Sequence, residues 1–386
     1  MNIRPEIKKL EKTIINTRRD IHKHPELSFQ ERRTSKLVAK KLNNLGLDVI
    51  QNVGKTGVVG KLKGNIPGNT IALRADMDAL PIQETSNVSY KSVNDGVMHA
   101  CGHDAHTAML LGAAEALSKK KNEIKGEIRF IFQPAEEGYG GAKYMIEDGA
   151  IDGVDEIYGM HVWNYQKSCT VGIKSGPVMA AADIFTIKIT GIGGHGATPQ
   201  GTVDCVVVAS HLIQALQTIV SRNTNPLEST VVTIGKINGG NNFNIIADEI
   251  ILKGTTRAYT QSNKELIKKR MKEIISGIEK SFGAKIELHY KDGYPPVIND
   301  NQITEKAKIA AEKIAGINNV QNPYLSMGGE DFSYFSNKVP GCFFFLGSAP
   351  KNKKLMSTPQ HCSHFDIDEE AMLVGSSIFV ELALNK

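Results

Sequence analysis

The residues best suited to chemistry crowd into positions 98–115, MHACGHDAHTAMLLGAAE, where His99, Cys101, His103, Asp104 and His106 fall within eight residues. A cysteine and a histidine two apart, at the mouth of a helical Ala/Leu run, can point at one centre. A thiolate and a neutral imidazole are good ligands for a divalent metal. Further acidic and imidazole groups recur at the ends of apolar runs. Asp76 and Asp78 follow residues 70–74, Glu136 and Glu137 follow 126–132, and His161 follows 156–160. A last cluster reads His361-Cys-Ser-His364-Phe-Asp366. Cys101, His103, Glu137, His161 and His361 together could hold two divalent ions with one group bridging. Paired ions about 3.5–4 Å apart lower the pKa of a bridging water and polarise a carbonyl oxygen. Such a site needs a carboxylate that takes the water's proton and passes it to the leaving group. Glu136, beside a ligating Glu137, fits that role. Two readings compete with a metal hydrolase. Cys101 could be a nucleophile with His103 as its base, although two-residue spacing gives a poor base geometry, or the fold could hold metal without catalysis. His22, His24, His99 and His106 are assigned structural or supporting roles.

The elements that must position these groups can be read from periodicity. Ile7, Leu10, Ile14 and Ile21 predict a helix over 5–22, ended by Pro25. Ser28-x-x-Glu31 resembles a capping box opening a second helix to about Leu45, stopped by Gly46. Strands are expected at 48–52, 57–62, 70–74, 126–132 and 156–160, the last delivering His161 at its end. Several of these alternate with helices. In open α/β sheets ligands bind beyond the carboxyl ends of strands, so the recurrence of acidic and imidazole groups there supports the metal reading. From about residue 181 the pattern changes to strand 185–190, helix 203–221, strands 230–237 and 249–259, helix 263–281 and strand 285–290. This β-α-β-β-α-β order is the split ferredoxin-like unit. The chain then returns to α/β character, with helix 303–315, strand 342–346 and helix 369–384. The expected fold is α/β: a mixed-sheet catalytic domain (1–180 and 295–386) with helices on both faces, interrupted by an inserted ferredoxin-like α+β domain (181–294).

Composition excludes several function classes. Of 386 residues, 46 are basic and 41 acidic, and a net charge of +5 spread along the chain is too mild to imply nucleic acid. No window approaches twenty apolar residues, so no membrane span is expected. The N-terminus alternates charge with Ile and Leu and lacks the apolar core of a signal peptide, which makes the cytoplasm the expected compartment. Five scattered cysteines (101, 169, 205, 342 and 362) argue against a disulfide framework. Cys205 and Cys342 read as core residues.

The motifs in order resemble the M20-family metallohydrolases, in the subgroup of amidohydrolases that cleave N-acyl amino acids. The carrying residues are Arg18-Arg-Asp-Ile-His22, His24-Pro-Glu-Leu27, Leu73-Arg-Ala-Asp76-Met-Asp78-Ala-Leu-Pro81 and Met98-His-Ala-Cys101-Gly-His103-Asp104. To these add Phe132-Gln-Pro-Ala-Glu136-Glu137-Gly138, Gly194-His195-Gly-Ala197 and Gly328-Gly-Glu330-Asp331-Phe332. The resemblance implies that Cys101 bridges the metals, that His103, Glu137, His161 and His361 complete the ligand set, and that Glu136 is the general base. Asp78 would orient His103, since a ligating imidazole usually donates its other N–H to a carboxylate. His195 matches a lid histidine that stabilises the oxyanion, in some members across a dimer interface. Asn244 and Arg257 match a carboxylate-binding pair of the lid; the alternative is strand residues facing solvent. The family's usual His-x-Pro-x-aromatic is here His361-Cys-Ser-His364-Phe365, so His364 competes with His361, and alignment on Phe365-Asp366 favours His361. The implied cofactors are two divalent ions per subunit, Mn²⁺ or Zn²⁺, with Co²⁺ or Ni²⁺ as alternatives. The implied substrate is a small N-acyl amino acid, hydrolysed to a carboxylic acid and a free amino acid; activity on small peptides is the alternative. A homodimer through the inserted lid is expected, with a tetramer as the other arrangement.

Overall fold

The computed structural model describes residues 1–385. Two compact units divide the chain. The first comprises residues 1–178, 298–325 and those from 331 on, and the second Met179–Val297 with Ser326–Glu330. The divisions therefore lie two or three residues outside the expected 181–294, and no change of composition marks the return of Ser326–Glu330.

In chain order the strands of the first unit are β1 (Asp48–Val53), β2 (Gly57–Lys63), β3 (Ile66–Asp76), β4 (Lys125–Gln133), β5 (Glu156–Lys167) and β6 (Val171–Gly172). The second unit contributes β7 (Ala181–Thr190), β8 (Thr230–Gly239), β9 (Glu249–Ala258) and β10 (Lys285–Tyr294). The first unit resumes with β11 (Val320–Gln321) and β12 (Gly341–Ala349). Eight of the described strands form one mixed sheet in the order β1-β2-β4-β3-β5-β12-β6-β11. The central pairs β4-β3, β3-β5 and β5-β12 are parallel, so their carboxyl ends lie on one edge.

The strand Gly341–Ala349 shows why its apolar run is continuous. Cys342, Phe344 and Leu346 belong to the main core, while Phe343 and Phe345 face the other side, against Phe332 and Trp163 at centroid distances of 5.1 and 5.0 Å. A strand buried on both faces has no polar alternation to show. The main core lies between the sheet and the helices α2 (Glu11–Lys23), α4 (His103–Ser118), α8 (Asn301–Ala315) and α9 (Glu370–Leu384). The short helix α5 (Gly141–Glu147) packs against β4.

Three local expectations change. The helix over 5–22 is two, α1 (Pro5–Lys9) and α2, broken at Leu10, which leaves helical geometry at φ −94°, ψ 0°. Helix α3 (Arg32–Asn44) begins after Glu31 and has no side-chain cap, because Ser28 and Glu31 spend their oxygens elsewhere. Strand β5 runs on past His161 to Lys167, so this histidine sits mid-strand. It is nevertheless open on one side, because the β3–β5 pairing ends at Arg74 opposite Gly159.

Helix α4 starts from Gly102 at φ 94°. A Cβ there would lie 2.3 Å from Val162 Cγ2, so both backbone angle and space require glycine between Cys101 and His103.

The second unit is a four-stranded antiparallel sheet in the order β8-β9-β7-β10, the ferredoxin-like arrangement. Helices α6 (Cys205–Thr218) and α7 (Gln261–Phe282) pack on the sheet through Val208, Leu212, Leu216, Ile267 and Met271. Contrary to expectation, one stretch, Cys205–Asn223, is long and apolar enough to cross a membrane by length and composition. Its buried Cys205, Val208, Leu212, Leu216 and Ile219 recur every three or four residues, which is the pattern of a helix packed on a sheet by one face.

Candidate metal centre

The carboxyl ends of β3 and β4, the mouth of α4 and the open side of β5 bring the predicted groups together. Cys101 Sγ lies 3.4 Å from His161 Nε2. His161 Nδ1 donates to Val162 O at 2.6 Å, which leaves Nε2 as the lone-pair atom facing the thiol. His103 Nδ1 lies 2.9 Å from Asp78 O and 3.2 Å from Asp78 Oδ1, so its Nε2 is likewise the nitrogen turned toward the cluster. That Nε2 is 4.0 Å from Glu137 Oε1, and His361 Nε2 is 3.3 Å from the same oxygen. Three of the five donor groups among the described residues are built wholly from these predicted residues: Cys101, His103 and His161; Cys101, Glu137 and His361; and His103, Glu136 and Glu137. Within each, the donor atoms lie within 4.8 Å of one another.

Two buried atoms in this cluster, His103 Nε2 and Glu137 Oε1, make no hydrogen bond. Each such atom costs about 1–3 kcal/mol if nothing compensates it. A divalent ion between them would satisfy both, so the residues fit a metal. Charge points the same way. Burial alone would lower His103, but Asp76, Asp78 and Glu137 outweigh it and raise the imidazole to about 10. Burial, reinforced by Glu137, Glu136 and Asp76, pushes the Cys101 thiol well above its ordinary range. Surroundings this acidic oppose the thiolate a cysteine nucleophile needs and favour one only against a cation.

Buried polar side chains hold the cluster in shape. Asp78 does more than face His103. Its Oδ1 accepts the Glu136 amide at 3.1 Å, and its Oδ2 accepts the Glu137 amide at 3.0 Å and Ser28 Oγ at 2.7 Å. Burial would raise this carboxyl, yet the hydrogen bonds from His103, Ser28 and Glu137 bring it below its ordinary value. His106 joins Asp76 Oδ1 (2.5 Å) to the Val162 amide (2.8 Å), bracing β5 beside His161. Arg74, fully buried, donates to Gln133 (2.7 Å), Asp76 (2.8 Å) and Asp331 (3.1 Å). Arg18 donates to Asp104 (2.9 Å), Asp366 (2.8 Å) and Glu369 (3.1 Å), tying α2 to the first turn of α4 and to the segment after His361. Sequence reasoning quoted both arginines as motif residues and missed this bracing. A signal was present: Arg18 shares a face with Ile14 and Ile21, and Arg74 interrupts a buried apolar strand. His99 is buried with no hydrogen bond from either ring nitrogen, and burial lowers it to about 4.

Geometry separates His361 from His364. His361 adopts a left-handed backbone (φ 66°), and its amide donates to Ala100 O at 2.7 Å, which ties its loop to that of Cys101. His364 is exposed, with Nε2 3.1 Å from Ser357 O, and joins none of the three groups. Cys362 is half-buried against the main core. Beyond His161 on the same side of β5, Trp163 (centroid 5.5 Å away) and Tyr165 continue a row of rings, and Tyr165 stacks on Tyr324 at 5.1 Å and 4°.

His195, Asn244 and Arg257 belong to the second unit. His195 pairs with Ile245 in a short ladder, Gly194–His195 against Ile245–Ile246, and the Gly196 amide donates to Asn244 O at 2.8 Å. His195 and Asn244 are exposed neighbours. The His195 Nδ1 accepts the Ala197 amide at 3.0 Å, which leaves Nε2 to carry the proton. Arg257 lies apart on β9, half-buried, donating to Thr255 Oγ1 and to Thr256 O.

A family model described as peptidase family M20/M25/M40 matches residues 72–385, a span that holds every donor of the cluster. The chain belongs to this family. Among its M20 relatives, thermostable carboxypeptidase 2 of Saccharolobus solfataricus is 43% identical over 99% of this chain and 97% of its own length. N-acetyl-L-cysteine deacetylase of Bacillus subtilis is 42% identical over 97% of this chain and 88% of its own. Among solved structures, a dinuclear metal-binding peptidase of the M20 family from Bacillus subtilis superposes with a TM-score of 0.86 at 37% identity, covering 98% of both chains.

Proposed function

We propose that this M20 protein hydrolyses the amide bond of small N-acyl amino acids. One observation carries the reading: Cys101 is common to two donor triads, one completed by His103 and His161, the other by Glu137 and His361. That is the arrangement two ions sharing a bridging ligand would require. Two divalent ions held there would lower the pKa of a water between them and polarise the amide carbonyl. Glu136, anchored by its amide on Asp78, takes the proton of the attacking water and returns it to the departing nitrogen. His195, with its Nε2–H available, serves the developing oxyanion, and Asn244 and Arg257 serve the substrate carboxylate. A thiolate with imidazoles suits zinc by softness, and the family resemblance makes manganese the alternative. The Trp163–Tyr165–Tyr324 row supports acyl groups with a flat apolar surface, such as benzoyl, alongside acetyl.

Exposed apolar residues of the second unit, among them Phe243 (96% exposed), Leu227 (93%), Val206 and Val207, support pairing with a second copy through that unit. The likeness to a carboxypeptidase favours a second reading, hydrolysis of small peptides by the same machinery.

Metal analysis of the purified protein together with a panel of N-acetyl and N-benzoyl amino acids and dipeptides tests the proposal. Two ions per chain, turnover of N-acyl amino acids and loss of that turnover with a chelator are expected. Activity that survives full metal removal would sink it, and turnover of dipeptides alone would favour the second reading.

A further inference from the structure

The three amides that lead into the carboxylate pair are each held by a buried carboxylate. Those of Glu136 and Glu137 bond to Asp78, which also faces His103. The third, Ala135 N–H, donates to Glu31 Oε1 at 3.0 Å. Glu31 is 0% exposed and comes from the loop before α3. Its Oε1 also accepts the Phe29 amide at 2.9 Å, and its Oε2 accepts the Thr56 hydroxyl at 2.5 Å. It belongs to none of the metal-type donor groups found among the described residues.

Its partner Ala135 stands in an unusual conformation. This buried non-glycine residue is left-handed, at φ 55°, ψ 45°, immediately before Glu136. An L-residue holds such a backbone only where its surroundings over-determine it, and strain of this kind concentrates at functional sites. The turn at Ala135 redirects the chain as it leaves β4, and so fixes the direction in which Glu136 departs from the sheet. By accepting this amide together with that of Phe29 and the Thr56 hydroxyl, the buried carboxyl group of Glu31 joins the turn to the loop before α3.

We propose that Glu31 is a positioning residue for Glu136, acting through the Ala135 amide and the left-handed turn. The inference rests on the reading of Glu136 as the base. Glu31 touches neither the substrate nor the ligand set; it keeps the base carboxylate at a productive angle while Asp78 keeps the ligand Glu137. Charge is not required for this. In Glu31→Gln, the amide oxygen can still accept the Phe29 and Ala135 amides, and the amide nitrogen can donate to Thr56, whose hydroxyl turns to accept.

The test compares Glu31→Ala and Glu31→Gln in the full-length, metal-loaded protein. Glu31→Ala should lower kcat at least tenfold with KM within twofold of the parent and two ions still bound. Hydrogen exchange should quicken in the peptide spanning 133–137 and stay unchanged in α4. Glu31→Gln should restore kcat to within about threefold and return the exchange to the parental rate. Parental kcat in Glu31→Ala would overturn the proposal, as would a Glu31→Gln variant as impaired as Glu31→Ala. So would a loss of kcat that comes only with lost metal or a globally unfolded chain. If the parent turns over no N-acyl amino acid, the proposed function fails first. The exchange and metal measurements still decide whether Glu31 holds the turn.

Discussion

Glu136 and Glu137 are the same residue type one position apart, yet the structure gives them different neighbours. Glu137 reaches toward His103 and His361, whereas Glu136 shares one donor group with His103 and Glu137 and another with Glu330 and Asp331, and joins neither group that contains Cys101. Glu136→Gln should therefore keep two ions while kcat falls about 10²–10⁴-fold, the usual range for losing a general base. Glu137→Gln should lose metal, and Cys101→Ala should lose both ions together; elemental analysis beside steady-state kinetics separates the three. The gathering of a thiol, imidazoles and carboxylates was legible in the sequence because such groups at the ends of apolar runs have few other uses in such number. Glu31 was not, because Ser-x-x-Glu is equally the spelling of a helix start. Burial, with a smaller contribution from Asp78, raises Glu31 to about 7, against the hydrogen bonds from Thr56 and Phe29. The folded chain thus holds this proton more tightly than the unfolded one. Its stabilising contribution is complete below about pH 4.5 and is lost as pH rises through about 7. Glu31→Gln should remove that slope: the stability difference between variant and parent, from denaturant midpoints at pH 4.5 to 8, should shift in favour of the variant with rising pH. A constant difference would contradict the assignment.

Elements were readable where their residues serve local structure and misread where they serve a distant partner. The apolar run 342–346 announced a strand, and the alternation in 185–190 announced one buried on a single face. The start of α3 was placed too early because Ser28 and Glu31 satisfy Asp78, Ala135 and Thr56 rather than the first amides of the helix. The extension of β5 past His161 was hidden because its pairing with β12, through His161 opposite Phe345, is a long-range fact. Arg18 makes the joint between α2, α4 and the segment beyond His361. Removing it leaves Asp104 buried with His22 as its remaining ion-pair partner among the described residues. Arg18→Ala should cost about 3–5 kcal/mol by denaturant titration, the usual penalty for breaking a buried pair. An exposed pair such as Lys119–Glu115 should cost under about 1 kcal/mol when broken the same way.

At the scale of the molecule, the two-unit division followed from a change of strand grammar, whereas the return of Ser326–Glu330 to the second unit could not be inferred from so short a segment. The first unit is split in sequence by the second, and this division runs through the donor cluster. Cys101, His103 and His161 all precede the inserted unit, and His361 follows it. His361→Ala should therefore reduce the bound metal from two ions to one, whereas His364→Ala should leave two; a single ion lost from His364→Ala would reverse the assignment. The split also gives the site a history. As the chain is synthesised, the first triad is complete before any of the inserted unit has emerged, and the second must wait until that unit is made and the chain has come back. Were each triad to hold an ion as proposed, occupancy of the second would record that the whole interrupted chain has been made and folded.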